Sequence, residues 1–357
     1  MSIRSILLES ESPTLEEVGE PLAAMMKAGL GVQGGIRPVG KPAFEPIVDF
    51  MKNQQSESFQ EIEMDTDFKE YTLERKGCLL HYWIGGPEGY PLVVFTHGAC
   101  VDHHSFDPIV AVVVQHYRVM NWDVRGHGKS QPMGEPFSLP LAVEDLLAII
   151  DRVGYEKAIF VGHSNGTYIS QELVFRHPER VQALVIVDGT CITWKHSAFE
   201  NWLVHISGDM MALFPFETLK KSGLSQVSVN KAIQDYTYQA YSLLTKENFL
   251  TIWNGLTKGL HYEPGYKITQ PVLLVHGEQD KMGDIARIAP KWAASLPNCQ
   301  YSVIPNARHF AILDNPEFFN NLLVEFLAKW APVAVPPATP ALPNHSPGSI
   351  SDLPSGL

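Results

Sequence analysis

The spacing of hydrophobic and polar positions changes along the chain and indicates which segments form strands or helices. Two strand-like runs, residues 68–74 and 78–84, are joined by Lys76-Gly77, which predicts a β-hairpin. Continuous apolar runs further along are typical of strands that are buried on both faces of a sheet. Residues 91–95, 158–161, 181–187 and 271–275 form such runs, and the more mixed segments 117–122 and 300–304 also predict strands.

Helical segments separate these apolar runs. Residues 141–152 and the residues after Gly166 predict helices, and residues 317–330 predict a closing amphipathic helix. Strands that alternate with helices predict an α/β fold, in which a parallel sheet carries helices on both faces. In such sheets the functional side chains lie beyond the carboxyl ends of the strands.

Residues 190–262 interrupt this alternation, and we expect them to form several helices above the strand ends. The segment is rich in large hydrophobic side chains, some of which must form its own core. We expect the others to line an apolar pocket together with residues near the strand ends. The candidate pocket residues are Cys100, His163, Trp194, Trp202, Met210, Phe214, Trp253 and Phe310.

The two ends of the chain carry no active-site motif. In residues 1–60, helical spacing over residues 15–26 is followed by a segment rich in glycine and proline. We expect this extension to pack over the body of the protein, and a homodimer contact or a flap over the active site is the alternative. Residues 332–357 are dominated by proline, alanine and serine and predict a disordered tail. The sheet domain is therefore expected to comprise residues 61–189 and 263–331.

The amino-acid composition favours a globular enzyme and argues against several other classes of protein. Hydrophobic residues make up 45% and charged residues 18% of the 357 positions, which is typical of a globular enzyme. The net charge of -12 argues against binding to nucleic acid or to anionic membrane surfaces. No apolar run approaches the roughly 20 residues that span a bilayer, and the first residues do not resemble a secretory signal. The four scattered cysteines suggest free thiols, so we expect a cytoplasmic protein.

A candidate nucleophile follows the run at 158–161. Gly162 and Gly166 flank Ser164 where a sharp strand-to-helix turn would crowd any side chain. A serine hydroxyl needs a positioned base, and a histidine base is held in one tautomer by a carboxylate. Asp280 and His309 follow the last two predicted strands, 271–275 and 300–304, in the order that this arrangement uses. Asp188, which ends the run at 181–187, is the competing acid.

A tetrahedral intermediate requires N–H donors for its oxyanion. The backbone N–H of Asn165, directly after the candidate nucleophile, is expected to be one donor. The second is expected to be the backbone N–H of Ala99, in the turn after the run at 91–95. Both contributions are made by the backbone.

Taken together, these motifs resemble the α/β-hydrolase superfamily, in its capped serine esterase and C–C hydrolase branch. The resemblance covers residues 68–330 and implies a mainly parallel eight-stranded sheet with a helical cap at residues 190–262. Asn165 stands where a larger apolar residue is common in the family, which leaves the polarity of the pocket open. The matching residues are His97-Gly98, Asp123, Arg125, Gly126, Gly128, Ser130, Gly162, Ser164, Gly166, Gly277, Asp280 and His309-Phe310.

Other motifs have simpler interpretations. Asp102, His103, His104 and Asp107 resemble a metal cluster by composition, but adjacent loop histidines do not readily face one ion. We therefore expect a solvated loop there and no metal. No motif implies a cofactor.

The leading functional interpretation is a serine hydrolase that cleaves a carboxylic ester or a lactone of a hydrophobic small-to-medium substrate. A serine at position 164 excludes the dehalogenase and epoxide hydrolase chemistry of this fold, because those reactions need a carboxylate nucleophile. A C–C hydrolase of a vinylogous diketone is the alternative, for which Lys195, Lys220 and Lys221 are candidate contacts to a substrate carboxylate. A cofactor-free perhydrolase and a ligand receptor on a hydrolase scaffold also remain open.

Overall fold

The computed structural model describes residues 68–333. The extension predicted at residues 1–60 and almost all of the tail predicted at 332–357 lie outside this range. The described chain contains eight strands and eleven α-helices. The strands are β1 (Lys69–Arg75), β2 (Cys78–Gly85), β3 (Leu92–Thr96), β4 (Arg118–Trp122), β5 (Ala158–His163), β6 (Val181–Val187), β7 (Val272–Gly277) and β8 (Cys299–Ile304).

The helices fall into two groups, those that flank the sheet and those of the segment between β6 and β7. The flanking helices are α1 (Asp107–Val113), α2 (Leu139–Arg152), α3 (Asn165–Arg176), α9 (Ile285–Ser295), α10 (Ala311–Asp314) and α11 (Pro316–Trp330). The helices between β6 and β7 are α4 (Ala198–Ala212), α5 (Phe216–Ser222), α6 (Leu224–Val227), α7 (Lys231–Ser242) and α8 (Lys246–Lys258).

All eight strands form one sheet in the order β1-β2-β4-β3-β5-β6-β7-β8. The β1–β2 and β2–β4 pairs are antiparallel, and every other pair is parallel. The predicted hairpin and the mainly parallel eight-stranded sheet are confirmed. Because β3, β5, β6, β7 and β8 run in the same direction, the loops that follow them lie at one edge of the sheet.

The sheet separates two hydrophobic cores. In β3, Leu92 and Val94 belong to one core, whereas Val93 and Phe95 belong to the other. Side chains alternate between the faces of a strand, so a strand between two helical layers needs hydrophobic residues at every position. This requirement explains the continuous apolar runs in the sequence.

The ends of the helices have identifiable causes. Ser138 caps α2 by accepting a hydrogen bond from the N–H of Leu141, and Pro140 occupies the first turn, where its missing N–H has no cost. Asn315 caps α11 by accepting from the N–H of Phe318. The two helices predicted at 141–152 and 317–330 therefore begin slightly earlier than the hydrophobic spacing suggested.

Helices α4–α8 form the predicted cap. The chain leaves the sheet and returns to it side by side, because the N–H of His261 donates to the carbonyl of Ile192 at 2.9 Å. A second bond joins the N–H of Glu263 to the carbonyl of Thr193 at 3.4 Å. The two ends of the cap are therefore paired with each other.

None of the helices within residues 68–333 combines the length and the hydrophobicity that crossing a membrane requires.

Candidate active site

Ser164 lies in a strained turn between β5 and α3. Its backbone adopts φ 49° and ψ -112°, which is unusual for a residue with a side chain. A Cβ atom at Gly166 would overlap the carbonyl oxygen of Thr96, at the end of β3. Glycine at 166 therefore lets α3 start directly against the sheet, with Ser164 at the N-terminus of the helix.

Two side chains from other strand ends meet Ser164. Nε2 of His309 lies 2.9 Å from Oγ of Ser164, and Nδ1 of His309 lies 3.1 Å from Oδ2 of Asp280. Since a carboxylate can only accept, Nδ1 carries the proton and Nε2 is left to accept the hydroxyl proton of Ser164. The N–H of Met282 donates to the other oxygen of Asp280 at 2.8 Å, which fixes the orientation of the carboxylate.

Electrostatics favour the ionised form of Asp280. Burial alone would raise the pKa of this carboxyl, but the neighbouring His309 and the N–H of Met282 lower it below its usual value. Asp280 is therefore negatively charged throughout the neutral pH range. That charge stabilises the imidazolium that forms when His309 takes a proton.

Asp188 contacts different groups. Its Oδ1 accepts from the N–H of Gly277 at 2.8 Å, and its Oδ2 accepts from the N–H of Ala311 at 3.1 Å. Gly277 ends β7, three residues before Asp280, and Ala311 follows His309 by two residues. Burial and the nearby charge of Asp280 raise the pKa of Asp188 well above its usual value. The structure thus brings Asp280 to His309 and uses Asp188 to join the two loops.

His163 and Phe310 lie behind the site. Nε2 of His163 donates to the backbone carbonyl of His309 at 2.8 Å, and its ring stacks on Phe310 with centroids 4.3 Å apart. Burial and the neighbouring His309 lower the pKa of His163 to about 3, so its ring is neutral. Both side chains are almost fully buried, and these contacts support the loop that carries His309.

The loop after β3, residues 97–102, passes directly beside Ser164. A Cβ atom at Gly98 would lie 3.3 Å from Cβ of Ser164 and 2.8 Å from Nδ1 of His163. We call residues 97–102 the β3 loop. Its residue Ala99, a predicted oxyanion donor, is flanked by Gly98 and by Cys100, which adopts φ 66°. The turn is thus held in a conformation that few side chains adopt.

His97 fixes the start of the β3 loop. Its Nδ1 donates to the carbonyl of Gly98 at 2.7 Å, and its Nε2 accepts from the N–H of Val124 at 3.0 Å. Burial lowers the pKa of His97, which agrees with a neutral ring. The predicted Asn165 donor is the first residue of α3, where backbone N–H groups have no partner within the helix.

The predicted pocket residues occupy different environments. Cys100 is buried in a hydrophobic core of the protein. Trp194 and Trp253 are partly buried and pack against the same core. Trp202 is 55% exposed and Phe214 44% exposed, and Trp202 stacks on Phe199 at the surface of the cap. The structure therefore does not bring all eight predicted residues together.

Asn165 is 2% exposed, and neither atom of its side-chain amide has a hydrogen-bond partner among the described residues. An unsatisfied buried amide is unfavourable, so this position makes the site more polar than an apolar residue would.

The residues that resembled a metal cluster bond to separate carboxylates. Nδ1 of His103 lies 2.8 Å from Oδ1 of Asp123, whereas Nδ1 of His104 lies 2.8 Å from Oδ2 of Asp107. Burial would raise the pKa of Asp123, but the hydrogen bond and the charge of His103 lower it to about 2. His103 is also buried, so this part of the loop is less solvated than the sequence suggested.

Sequence reasoning missed two contributions to the site. Asp188 was considered only as a rival acid, although its place directly after a buried strand and before a glycine could have suggested a structural role. The cap tyrosines that reach the β3 loop gave no sequence signal at all, because their partners are more than 100 positions away in the chain.

The sequence is similar to a known protein family and to several characterised hydrolases. A model of the family described as serine aminopeptidase, S33, matches residues 88–316. The chain is 24% identical over 254 residues to 3-oxoadipate enol-lactonase 1 of Acinetobacter baylyi. The aligned region covers 71% of the chain and 94% of the relative. It is 23% identical over 290 residues to epoxide hydrolase 4 of Mus musculus, covering 71% of the chain and 78% of the relative.

A solved structure shows the same fold. The thermophilic esterase of Thermogutta terrifontis superimposes with a TM-score of 0.63 at 18% identity, covering 74% of the chain and 99% of the esterase. The fold is thus shared over the whole of that enzyme.

Proposed function

We propose that this chain, which belongs to the serine aminopeptidase S33 family of α/β-hydrolases, hydrolyses a carboxylic ester or lactone through an acyl-enzyme. The observation that carries the proposal is the hydrogen-bonded series from Ser164 through His309 to Asp280, with distances of 2.9 and 3.1 Å. Each distance is within the reach that proton transfer requires.

The proposed reaction has two halves. His309 removes the proton of Ser164 while Oγ attacks the carbonyl carbon of the substrate, which forms a tetrahedral oxyanion. The imidazolium then gives its proton to the leaving alkoxide as the C–O bond breaks, leaving an acyl group on Ser164. His309 then removes a proton from a water molecule that attacks the acyl carbon, and a second tetrahedral oxyanion forms. The imidazolium returns that proton to Oγ of Ser164 as the bond between Oγ and the acyl carbon breaks, which releases the carboxylic acid and restores Ser164.

The backbone N–H groups of Ala99 and Asn165 are proposed to bind the oxyanion. Gly98 brings the β3 loop against Ser164, and the start of α3 presents N–H groups without partners in the helix. Such prepositioned donors are among the largest contributions to acyl transfer.

The serine at position 164 favours an ester or lactone as the substrate and argues against an epoxide. Epoxide opening in this fold forms an alkyl ester on a carboxylate nucleophile, and position 164 is a serine. Relatives named as an enol-lactonase and an esterase both act on an acyl–oxygen bond, which the series at Ser164 can cleave.

The cap supports a C–C hydrolase less well. Nζ of Lys220 donates to Oγ of Ser242 at 3.2 Å and also pairs with Glu217, so its charge is already compensated. Nζ of Lys195 lies 5.8 Å from the ring centroid of Tyr262. These contacts account for two of the three lysines that were candidates for a substrate carboxylate.

The proposal is tested by the release of p-nitrophenol from a series of acyl esters and by the opening of lactones. We expect turnover by the wild type, and Ser164→Ala should lose at least about 10³ in kcat because the acyl-enzyme cannot form. Ser225→Ala, which changes an exposed serine of the cap, is the matched control and should retain activity. Equal turnover by wild type and Ser164→Ala would refute the proposal.

A further inference from the structure

The oxyanion donor proposed at Ala99 lies in a loop that needs external support. Cys100 follows it with φ 66°, a conformation that costs free energy for a residue with a side chain. His97 holds the start of the β3 loop from the sheet side, through the carbonyl of Gly98. The opposite end of the loop, at Asp102, has its support in the cap.

Helix α7 of the cap provides that support. The hydroxyl of Tyr236 donates to Oδ1 of Asp102 at 2.7 Å. Tyr236 is 2% exposed, and burial together with the charge of Asp102 raises its pKa well above its usual value, so the hydroxyl remains a donor. The same carboxylate accepts from the N–H of His104 at 3.2 Å, which ties the end of the β3 loop to the following helical turn.

A second side chain of the same helix lies beside the middle of the loop. The side chain of Tyr241 neighbours the thiol of Cys100, the residue with the strained backbone. Tyr241 is itself held by aromatic contacts to Phe216 and Phe249, with ring centroids 5.5 and 5.2 Å apart. Two side chains of α7 thus lie against Cys100 and Asp102, two of the three residues that follow Ala99.

The same part of the cap also holds the loop that carries His309. The carbonyl of Val227 accepts from the N–H of Phe310 at 2.7 Å. The side chain of Asp314 accepts from the N–H of Val229 at 3.2 Å and from the hydroxyl of Ser228. Helices α6 and α7 therefore connect the two loops that lie on either side of Ser164.

We propose that Tyr236 is a positioning residue for acyl transfer, which acts through Asp102 to hold the Ala99 N–H in place for the oxyanion. In this arrangement the contact between Tyr236 and the β3 loop couples the position of the cap to the geometry of the active site. The inference rests on the proposed function, because an oxyanion forms only in acyl transfer.

Tyr236→Phe tests the proposal because it removes only the hydroxyl group. Complete loss of an oxyanion donor lowers kcat by about 10²–10³, and a displaced donor should cost less, so we expect kcat to fall roughly tenfold. KM should change by less than about twofold, since a donor aimed at the transition state contributes little to substrate binding. Tyr238→Phe is the matched control, because Tyr238 lies on the same helix but is only partly buried and bonds to Glu217 of the cap.

A transition-state analogue provides a readout that packing alone would not change. Affinity for a trifluoromethyl ketone, whose adduct with Ser164 carries the same oxyanion, should weaken by the same factor as kcat/KM. A rise in KM with unchanged kcat would overturn the proposal, because the bond would then serve only to hold the cap. Wild-type inhibitor affinity in Tyr236→Phe would overturn it as well.

A second variant covers the case in which Tyr236→Phe does not fold. Asp102→Asn keeps an acceptor for Tyr236 but removes the charge, which weakens the hydrogen bond. We expect kcat to fall about threefold, and unchanged kcat in this variant would overturn the proposal. Labelling of Ser164 by a fluorophosphonate distinguishes failure of the proposed function from failure of the inference about Tyr236. If the wild type is not labelled at Ser164, the proposed function is refuted. If Tyr236→Phe is labelled at the wild-type rate, the inference about Tyr236 is refuted.

Discussion

Asp280→Asn replaces one oxygen of a buried carboxylate by an amide nitrogen and leaves the shape of the side chain intact. In the folded protein the N–H of Met282 donates to Oδ1 at 2.8 Å, and Nδ1 of His309 donates to Oδ2 at 3.1 Å. The amide oxygen of an asparagine must keep the bond to Met282, because an amide nitrogen cannot accept it. The amide nitrogen is then directed at Nδ1 of His309.

This orientation imposes the wrong tautomer on the histidine. Two N–H donors cannot face each other, so the ring proton of His309 moves from Nδ1 to Nε2. Nε2 then points a proton at the hydroxyl of Ser164 and cannot accept one. With the negative charge also lost, we expect kcat to fall by about 10⁴, which corresponds to about 5.5 kcal/mol in the activation barrier.

The assay is the steady-state hydrolysis of a p-nitrophenyl ester, compared with Asp209→Asn, which changes an exposed aspartate of the cap. Asp188→Asn provides the second comparison. It should lower kcat less than Asp280→Asn, because Asp188 bonds to backbone groups and not to His309. A loss below tenfold in Asp280→Asn, or a larger loss in Asp188→Asn, would refute the assignment of Asp280 as the orienting acid.

Two further predictions concern stability. The lowered pKa of Asp123, about 2, means that its contribution is present above pH 4 and is lost as the pH falls toward 2. The free energy of unfolding from urea titrations should therefore fall by about 2 kcal/mol across this window, and a slope that is unchanged in Asp123→Asn would contradict the prediction. Gly255→Ala should lower stability by about 1–3 kcal/mol, since its Cβ would overlap the carbonyl oxygen of Phe137 where α8 meets the sheet domain. Gly223→Ala is the control for thermal unfolding, because its Cβ would contact nothing within 4 Å, and equal melting temperatures would refute the predicted clash.

Much of the sheet and the order of the candidate site residues could be predicted from sequence, because both depend on local spacing. Continuous apolar runs identify strands that are buried on both faces, as in β3 and β5. The glycines around Ser164 reflect contacts that allow no side chain, such as the overlap of a Cβ at Gly166 with Thr96. Asp280 and His309 follow strand ends, and parallel strands bring their ends to one edge of a sheet.

The cap could not be predicted in the same detail. Its helices contact the sheet domain, one another and solvent, so a large hydrophobic side chain has several suitable environments. Trp202 and Trp253 look equivalent in the sequence, yet Trp202 is 55% exposed and Nε1 of Trp253 donates to Ser207 at 2.7 Å. The bond between Tyr236 and Asp102 depends on how the whole cap is seated, which no periodicity encodes.

The sequence favoured Asp280 over Asp188 by chain order but could not show which of the two contacts His309. Both aspartates directly follow buried strands, and both strand ends lie near His309. Only the turn after β7, where the N–H of Met282 orients the carboxylate, directs Asp280 toward Nδ1. Backbone geometry therefore decided between two residues of the same type.

The pairing of Ile192 with His261 has an evolutionary consequence. Because the two ends of the cap meet, an insertion of almost any length can be accommodated between β6 and β7 without separating the strands. Recombination at this junction would replace the cap while Ser164, His309 and Asp280 keep their positions. New specificities could thus arise by exchange of a single continuous segment, provided that the incoming segment again supports the β3 loop.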